Sequence, residues 1–409
     1  MPPQLEEIKL NHDPNGATSD ALNIRRNNGT FVTVPEWRRG VSVKPEDSVA
    51  AYSIADTKGH TLTIQARFSC TEPGHKTFEV RAVDPTVDPP APPGCPRGCF
   101  PLWRLLAALI RDLFGNVLGN VNANQVTCSH GQSGWVTFEL VDVRLWNVGV
   151  GIHTTTWRWQ YRAKSSDPWS DFDTSDHRIY VLLELPKAPW TQTPYGSANT
   201  QLPWTEAMEY ACRWALGKTD RDAAAAAVTS RVYGLGPALI EYDCPGGGST
   251  HYAWGGFNCT AFLDRLNGGL GNGQYMNCTD CATIVSTFAN VLGCDLWQSQ
   301  MGFDFGLNPI RAIGAGSWYP GCSNWSYPGF SYHEVAWKGA CLAADQIFDG
   351  CLEVDGDVDP TTAPHTPLLP TNMVFGVPGS GDYRDRLATP ATRGSCAPQP
   401  GTRTRRAVS

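Results

Sequence analysis

From about residue 40 to residue 190 the apolar residues of this chain fall on alternate positions, and beyond residue 204 they no longer do. In "HTLTIQARF", Leu62, Ile64, Ala66 and Phe68 alternate with polar neighbours, and "FEVRAV" repeats the pattern. "WVTFELVDV", "TTTWRWQYR" and "HRIYVLLELP" follow, with period two or as short β-rich runs. A strand turns successive side chains to opposite faces, so period two marks a strand buried on one side. Strands of this length between Gly-, Asp- and Pro-rich turns predict an antiparallel β-sandwich over residues 1–190. After a linker at 187–204 the spacing becomes helical. "WTEAMEYACRWALG" stops at Gly217, and "TDRDAAAAAVTSRVYGLG" opens on Thr219 as N-cap with Asp222 three residues on. Mixed strands run from there to about 358. The chain is therefore expected to be α+β: the sandwich first, then a mixed domain at 195–388. The last residues, 389–409, are rich in Pro, Gly, Thr and Arg and read as a disordered tail.

An insert at 84–122 interrupts the strands. It begins with the Pro-rich "DPTVDPPAPPGCPRGCFP" and continues as an amphipathic helical run. Such a stripe usually faces the core of its own domain, which is the favoured reading, and docking to a partner or lipid surface is the alternative. The longest apolar run is broken by Arg104, Arg111 and Asp112, which excludes it as a membrane span. A net charge of −7 gives no general attraction to nucleic acid. "MPPQLEEIKLNHDPNG" lacks the apolar segment of a secretory leader, so the expected location is cytoplasmic, with export by another route left open. In that setting the 14 cysteines should be mostly reduced. Cys95 and Cys99, spaced C-x3-C, have no second pair at zinc spacing.

The chemistry gathers around "NCTDCATIVSTFANVLGCDL", residues 277–296. Read as a helix over 278–292, it puts Cys281, Ile284, Val285, Phe288, Ala289 and Leu292 on one face. Asn277 or Thr279 can cap the start, and Gly293 ends it. Cys278 then lies in the first turn, where unpaired N–H groups and the helix dipole favour a thiolate, while Cys281 points inward. A zinc site would need a second ligand pair, but Cys294 lies past the helix and Cys322 is isolated. A redox C-x-x-C would need a β-α-β context that is missing.

A thiolate nucleophile needs a base within reach, and the base needs an orienting group. "FSYHEVAWKGACLAADQIFDGCLEVDGD" supplies both. His333, Val335 and Trp337 share one face of a strand, and "QIFDGCLEV" reads as the next strand, carrying Asp349. A short turn near Lys338–Gly339 would set Asp349 beside His333. Asp345 competes for the role, but Asp349 ends an apolar strand whereas Asp345 falls where a turn is expected. His251, in the glycine-rich "CPGGGSTHYAWGGFN", reads as a surface or substrate-side residue.

These motifs resemble the transglutaminase-like superfamily of papain-fold cysteine enzymes over roughly 195–360. Many bacterial members carry C-x-D-x-A opening a helix that ends at a glycine fifteen residues after the cysteine. Here Cys278, Asp280, Ala282 and Gly293 stand at those positions, and His333 and Asp349 match the family's His and Asp motifs. The aromatic-rich strand that usually follows the His is altered here to "HEVAWKGACLAAD". The resemblance implies a papain-like α+β domain and acyl transfer through a thioester, with a protein or peptide as substrate; the residues themselves offer no metal site, and no cofactor is expected. Peptidase or amidase is the leading outcome. Glutamine deamidation and amine cross-linking use the same residues, and a non-catalytic scaffold is the competing class. The oxyanion donors would be the Cys278 backbone N–H and one of Trp254, Asn258 or Gln274. "EVDGDVD" (353–359) lacks the ligand spacing of a calcium loop and reads as a solvated turn.

Overall fold

The computed structural model describes residues 2–13, 18–70, 74–86, 115–196, 201–318 and 329–409. Most of the insert at 84–122, with Cys95 and Cys99, lies outside the described residues. The chain divides into two compact units, 1–26 with 30–184, and 27–29 with 185–409. The fold is mixed α+β, dominated by strands, with one large sheet and few helices among the described residues.

The first unit is built on ten strands: β1 (Gln4–Lys9), β2 (Trp37–Arg38), β3 (Val49–Ser53), β4 (Thr63–Ser69), β5 (Lys76–Val83), β6 (Asn120–Ser129), β7 (Gln132–Ser133), β8 (Val136–Val141), β9 (Gly151–Arg162) and β10 (Ser170–Leu182). They form one hydrogen-bonded sheet in the order β2-β1-β4-β7-β6-β5-β9-β10-β3, with β8 paired to both β4 and β6. The alternation in the sequence becomes alternation in burial: Ile64, Ala66 and Phe68 of β4 are buried and their neighbours are half-buried. The inward side chains meet in one cluster, where Phe68 lies edge-on to Phe138 and Trp159 at 6.1 and 5.8 Å. One pairing departs from the antiparallel expectation, because β3 runs parallel to β10. A parallel pair cannot be a hairpin and needs a long connection, and most of the unit lies between these two strands. Cys70 and Cys128 are joined as a disulfide, and Cys244 in the second unit is also disulfide-bonded. Eight other described cysteines are thiols, so most of the described cysteines are reduced and these three are the exceptions. The antiparallel β5–β6 pairing and the β4–β7–β6 ladder bring the ends of β4 and β6 together.

In the second unit α1 is preceded by the short α-turn at Ile54–Thr57 of the first; its own helices are α1 (Thr205–Trp214), α2 (Arg221–Tyr233), α3 (Cys259–Leu266), α4 (Cys278–Val291) and α5 (Tyr383–Leu387). The strands are β11 (Glu241–Tyr242), β12 (Tyr275–Met276), β13 (Trp297–Met301), β14 (Phe305–Gly306), β15 (Ile310–Ala312), β16 (Gly329–Phe330), β17 (His333–Trp337), β18 (Gln346–Phe348), β19 (Leu352–Asp355), β20 (Pro367–Leu368) and β21 (Met373–Val374). The central sheet runs β13-β17-β18-β21. α4 packs on β17 and is covered by α1 and α2. Every residue of α4 is buried, so the one-sided helix expected from the sequence is instead enclosed all round. Two of its polar side chains are satisfied within the helix: Thr283 and Ser286 donate to the carbonyls of Thr279 and Ala282.

Two segments that read as unstructured are part of this packing. In the linker at 187–204, Trp190 donates its indole N–H to the Thr287 carbonyl at 2.9 Å, and its ring meets that of Trp204 at 5.7 Å. The tail expected to be disordered over 389–409 is an ordered strap. Gln298 and Thr404 exchange backbone hydrogen bonds of 2.9 Å in each direction, and Phe257 donates to Ala407 at 2.8 Å. The physical reason is the sheet edge: among the described residues no named strand lies on the outer side of β13, and the strap pairs with its backbone groups there. Arg403 and Arg405 stack over the Trp297 ring at 3.5 and 3.6 Å, so the tail's charges are held by cation–π contacts.

Gly350 sits where the chain passes closest to α4. A Cβ there would lie 2.8 Å from a methyl of Val285 and 3.3 Å from one of Val232. Gly350→Val is therefore expected to destabilise the second unit by about 1–3 kcal/mol through overpacking, measured by denaturant unfolding against wild type.

Candidate active site

Cys278 is the first residue of α4. Asn277 is the N-cap: its side chain accepts from the Asp280 N–H at 3.1 Å, and the Asp280 carboxylate accepts from the Asn277 N–H at 3.1 Å. This reciprocal box fixes where the helix begins, and so where the Cys278 sulfur stands relative to the free N–H groups of the first turn. Cys278 is 4% exposed and Cys281 is fully buried. The Cys281 thiol lies 3.4 Å from the Met276 sulfur.

Asp280 does more than cap. Its carboxylate accepts from three consecutive backbone N–H groups, those of His251, Tyr252 and Ala253, at 2.9, 2.8 and 2.8 Å. Burial pushes its pKa up, and these hydrogen bonds work against that shift. The glycine-rich loop is thereby fastened to the first turn of α4. The loop is braced again by Asp243, which accepts from Gly246 and Ser249 and from the Nε2 of His251 at 3.0 Å. His251 is thus tied to Asp243 rather than free at the surface.

His333 opens β17 opposite Met301 of β13. β18 pairs antiparallel to β17, with Ala336 against Phe348 and Trp337 against Ile347, and Asp349 follows directly. The connection is longer than the tight turn expected, and Asp345 shapes it by accepting from the Ala340 and Leu342 N–H groups. His333 Nε2 lies 3.0 Å from Asp349 Oδ2, and both side chains are buried. Facing an acceptor-only carboxylate, Nε2 carries the proton. Asp349 is held in turn: Oδ1 accepts from the N–H groups of Cys351 and Leu352, and Oδ2 accepts from the Tyr383 hydroxyl at 2.7 Å. Phe330 stacks on the imidazole at 5.1 Å with the rings 8° from parallel.

The other ring nitrogen, Nδ1, is buried and makes no hydrogen bond of good geometry. Burial by itself pushes the His333 pKa down. The Asp349 carboxylate, and after it the Cys278 thiol as a looser partner, more than reverse this and push it up to about 10. Tyr242 and Tyr332 also border the sulfur. Burial, and then the electrostatic interaction with Cys278, raises the pKa of each.

Two of the three side-chain oxyanion candidates spend their donors elsewhere, and the third uses its oxygen as a helix cap. The Trp254 indole N–H donates to the Thr250 carbonyl and its ring is 75% exposed. Asn258 caps α3 by accepting from Ala261, and the Gln274 amide donates to Glu241 at 2.6 Å. Trp254 and Asn258 find these partners within their own loop and helix start, and Gln274 finds its partner in β11. The Asp355 carboxylate in "EVDGDVD" accepts from His365 and Thr366, and no group of three His, Cys, Asp or Glu among the described residues could hold a metal. No helix of the described residues is long and apolar enough to cross a membrane.

Tyr383, Tyr332, Glu334 and Phe330 were not singled out from the sequence. Phe330, Tyr332 and Glu334 flank His333 in "FSYHEV", a run of aromatic and acidic residues around a histidine that could have marked them. Tyr383 lies 34 residues beyond Asp349 and carries no local signal.

No family model matches the chain, and no curated protein matches it. Among solved structures it is similar to red sea bream transglutaminase, at 12% identity and a TM-score of 0.33 over 71% of this chain and 48% of that chain. The chain spans about half the length of that structure.

Two substitutions test the architecture. Asp280→Ala strands several buried N–H groups and is expected to cost about 3 kcal/mol or more, with proteolysis at 244–256 as the second readout. Tyr383→Phe removes one of the hydrogen bonds on Asp349 and should cost about 1 kcal/mol in denaturant unfolding.

Proposed function

We propose that the chain is a cysteine acyl-transfer enzyme in which Cys278 attacks, His333 takes and returns the proton, and Asp349 orients the imidazole. The observation that carries this reading is the buried 3.0 Å hydrogen bond between His333 Nε2 and Asp349 Oδ2, with Nδ1 left unpaired and the Cys278 sulfur acting on the ring from the helix start. The roles follow from the chemistry. Asp349 fixes the tautomer, Nδ1 receives the thiol proton, and the first-turn N–H groups of α4 favour the thiolate. Attack on a carboxamide or peptide carbonyl forms a thioester and expels an amine, which leaves with the proton from His333. Water then releases the acid and frees the thiol. The Cys278 backbone N–H is the oxyanion donor the helix start supplies. A peptidase or amidase acting on a protein or peptide is the leading form. Release of ammonia from glutamine or formation of an isopeptide bond would mark the deamidase or cross-linking forms. The domain carrying these residues is read as transglutaminase-like, and the first unit as a β-sandwich. Support for the sandwich is the alternating burial along its strands around one shared core.

The test is labelling of the full chain by a thiol-reactive amide-substrate probe, with and without Cys278. Cys278→Ala and His333→Ala are expected to lower the rate about 10³-fold or more, and Asp349→Asn somewhat less. Undiminished labelling or turnover in Cys278→Ala would sink the assignment. The pH profile carries a second expectation. The imidazolium is the proton donor, so activity should fall as pH rises through about 10, where His333 loses its proton. Asp349→Asn removes the main group raising that pKa, so the falling limb should move to lower pH.

A further inference from the structure

One buried charge beside the site has no place in the reaction above. Glu334 follows His333 in β17 and its side chain is 1% exposed. Its carboxylate accepts from the Thr279 hydroxyl at 2.9 Å, and Thr279 is the residue after Cys278. It is neutralised by Arg406, which comes from the strap and donates to both carboxylate oxygens. The guanidinium also donates to Thr283 of α4 at 3.1 Å and to Gln298 of β13 at 3.0 Å. Since the Thr279 proton goes to Glu334, the Tyr332 hydroxyl, 3.3 Å away, donates to Thr279. One ion pair thus joins the residue after the nucleophile to the residue after the base.

Resting on the reading of Cys278 as nucleophile, we propose that Arg406 is a positioning residue. By neutralising Glu334 it holds the first turn of α4 against the start of β17 and sets the charge that the Cys278–His333 pair experiences. Breaking a buried pair from one side leaves an uncompensated charge, whereas removing both partners leaves none. Tyr332 feels Cys278, Glu334 and Arg406 together, which places all three in one electrostatic neighbourhood. The other titratable groups facing the sulfur are Tyr242 from β11, Tyr332 and His333 at β17, and Cys281 and Cys351 from α4 and the start of β19. Asp280 is turned away to its own backbone donors. Removing Arg406 leaves net negative charge near the thiolate and disfavours it. Removing Glu334 leaves net positive charge and favours it. A purely structural brace would not give opposite signs.

The test measures iodoacetamide alkylation of Cys278, mapped by peptide mass spectrometry between pH 5 and pH 9. It uses the full chain as wild type, Arg406→Gln, Glu334→Gln and the double variant. Arg406→Gln is expected to slow labelling at neutral pH about tenfold, a shift of one unit in the profile, and Glu334→Gln to speed it. The double variant should return close to wild type. If Arg406→Gln does not fold, faster labelling in Glu334→Gln than in the double variant carries the same sign. Profiles that coincide, or two single variants that move the same way, overturn the inference. Wild-type protein in which Cys278 is not labelled would instead overturn the nucleophile assignment itself.

Discussion

The Asp280 carboxylate is the point on which the second unit turns. One buried group closes the capping box of α4 and gathers the N–H groups of three consecutive loop residues. Those loop groups have no strand or helix partner of their own, and leaving them buried and unpaired would be costly. The helix start and the loop therefore cannot move independently. The position of Cys278 follows from this, since a helix that began one residue earlier or later would turn the sulfur by about 100°.

Around that fixed point the candidate site draws on pieces far apart in sequence. The helix start brings Cys278, β17 brings His333, the end of β18 brings Asp349, and α5 and the strap bring Tyr383 and Arg406. Each buried charge has an opposite or a donor against it: Asp349 has His333 and Tyr383, and Glu334 has Arg406 and Thr279. Exposed ion pairs contribute little to a fold, but buried ones make each partner dependent on the other. A conservative change at one end of this set is felt at the other.

What the sequence discloses and what it hides follow the same physics. Period-two burial in β4 and the start of α4 at Asn277 are legible because both depend on residues within a turn or two of each other. The enclosure of α4 on all sides is hidden, because Thr283, Ser286 and Asn290 look solvent-facing until their carbonyl partners are known. The strap reads as disorder because its Pro, Gly, Thr and Arg content lacks apolar mass, and its order comes from the edge of β13 and the ring of Trp297. The second oxyanion donor was sought among Trp254, Asn258 and Gln274 by residue type, yet Trp254 and Gln274 donate to Thr250 and Glu241, and the Asn258 oxygen caps its own helix. Short-range grammar is readable; the identity of a distant partner is not.

The strap also imposes an order of events during synthesis. The chain leaves the ribosome from its N-terminus, and domains tend to fold as units as they emerge. The helix, the histidine and the aspartate are all exported before Arg406, so a nascent chain halted at about 390 would hold an unneutralised Glu334 and a bare edge on β13.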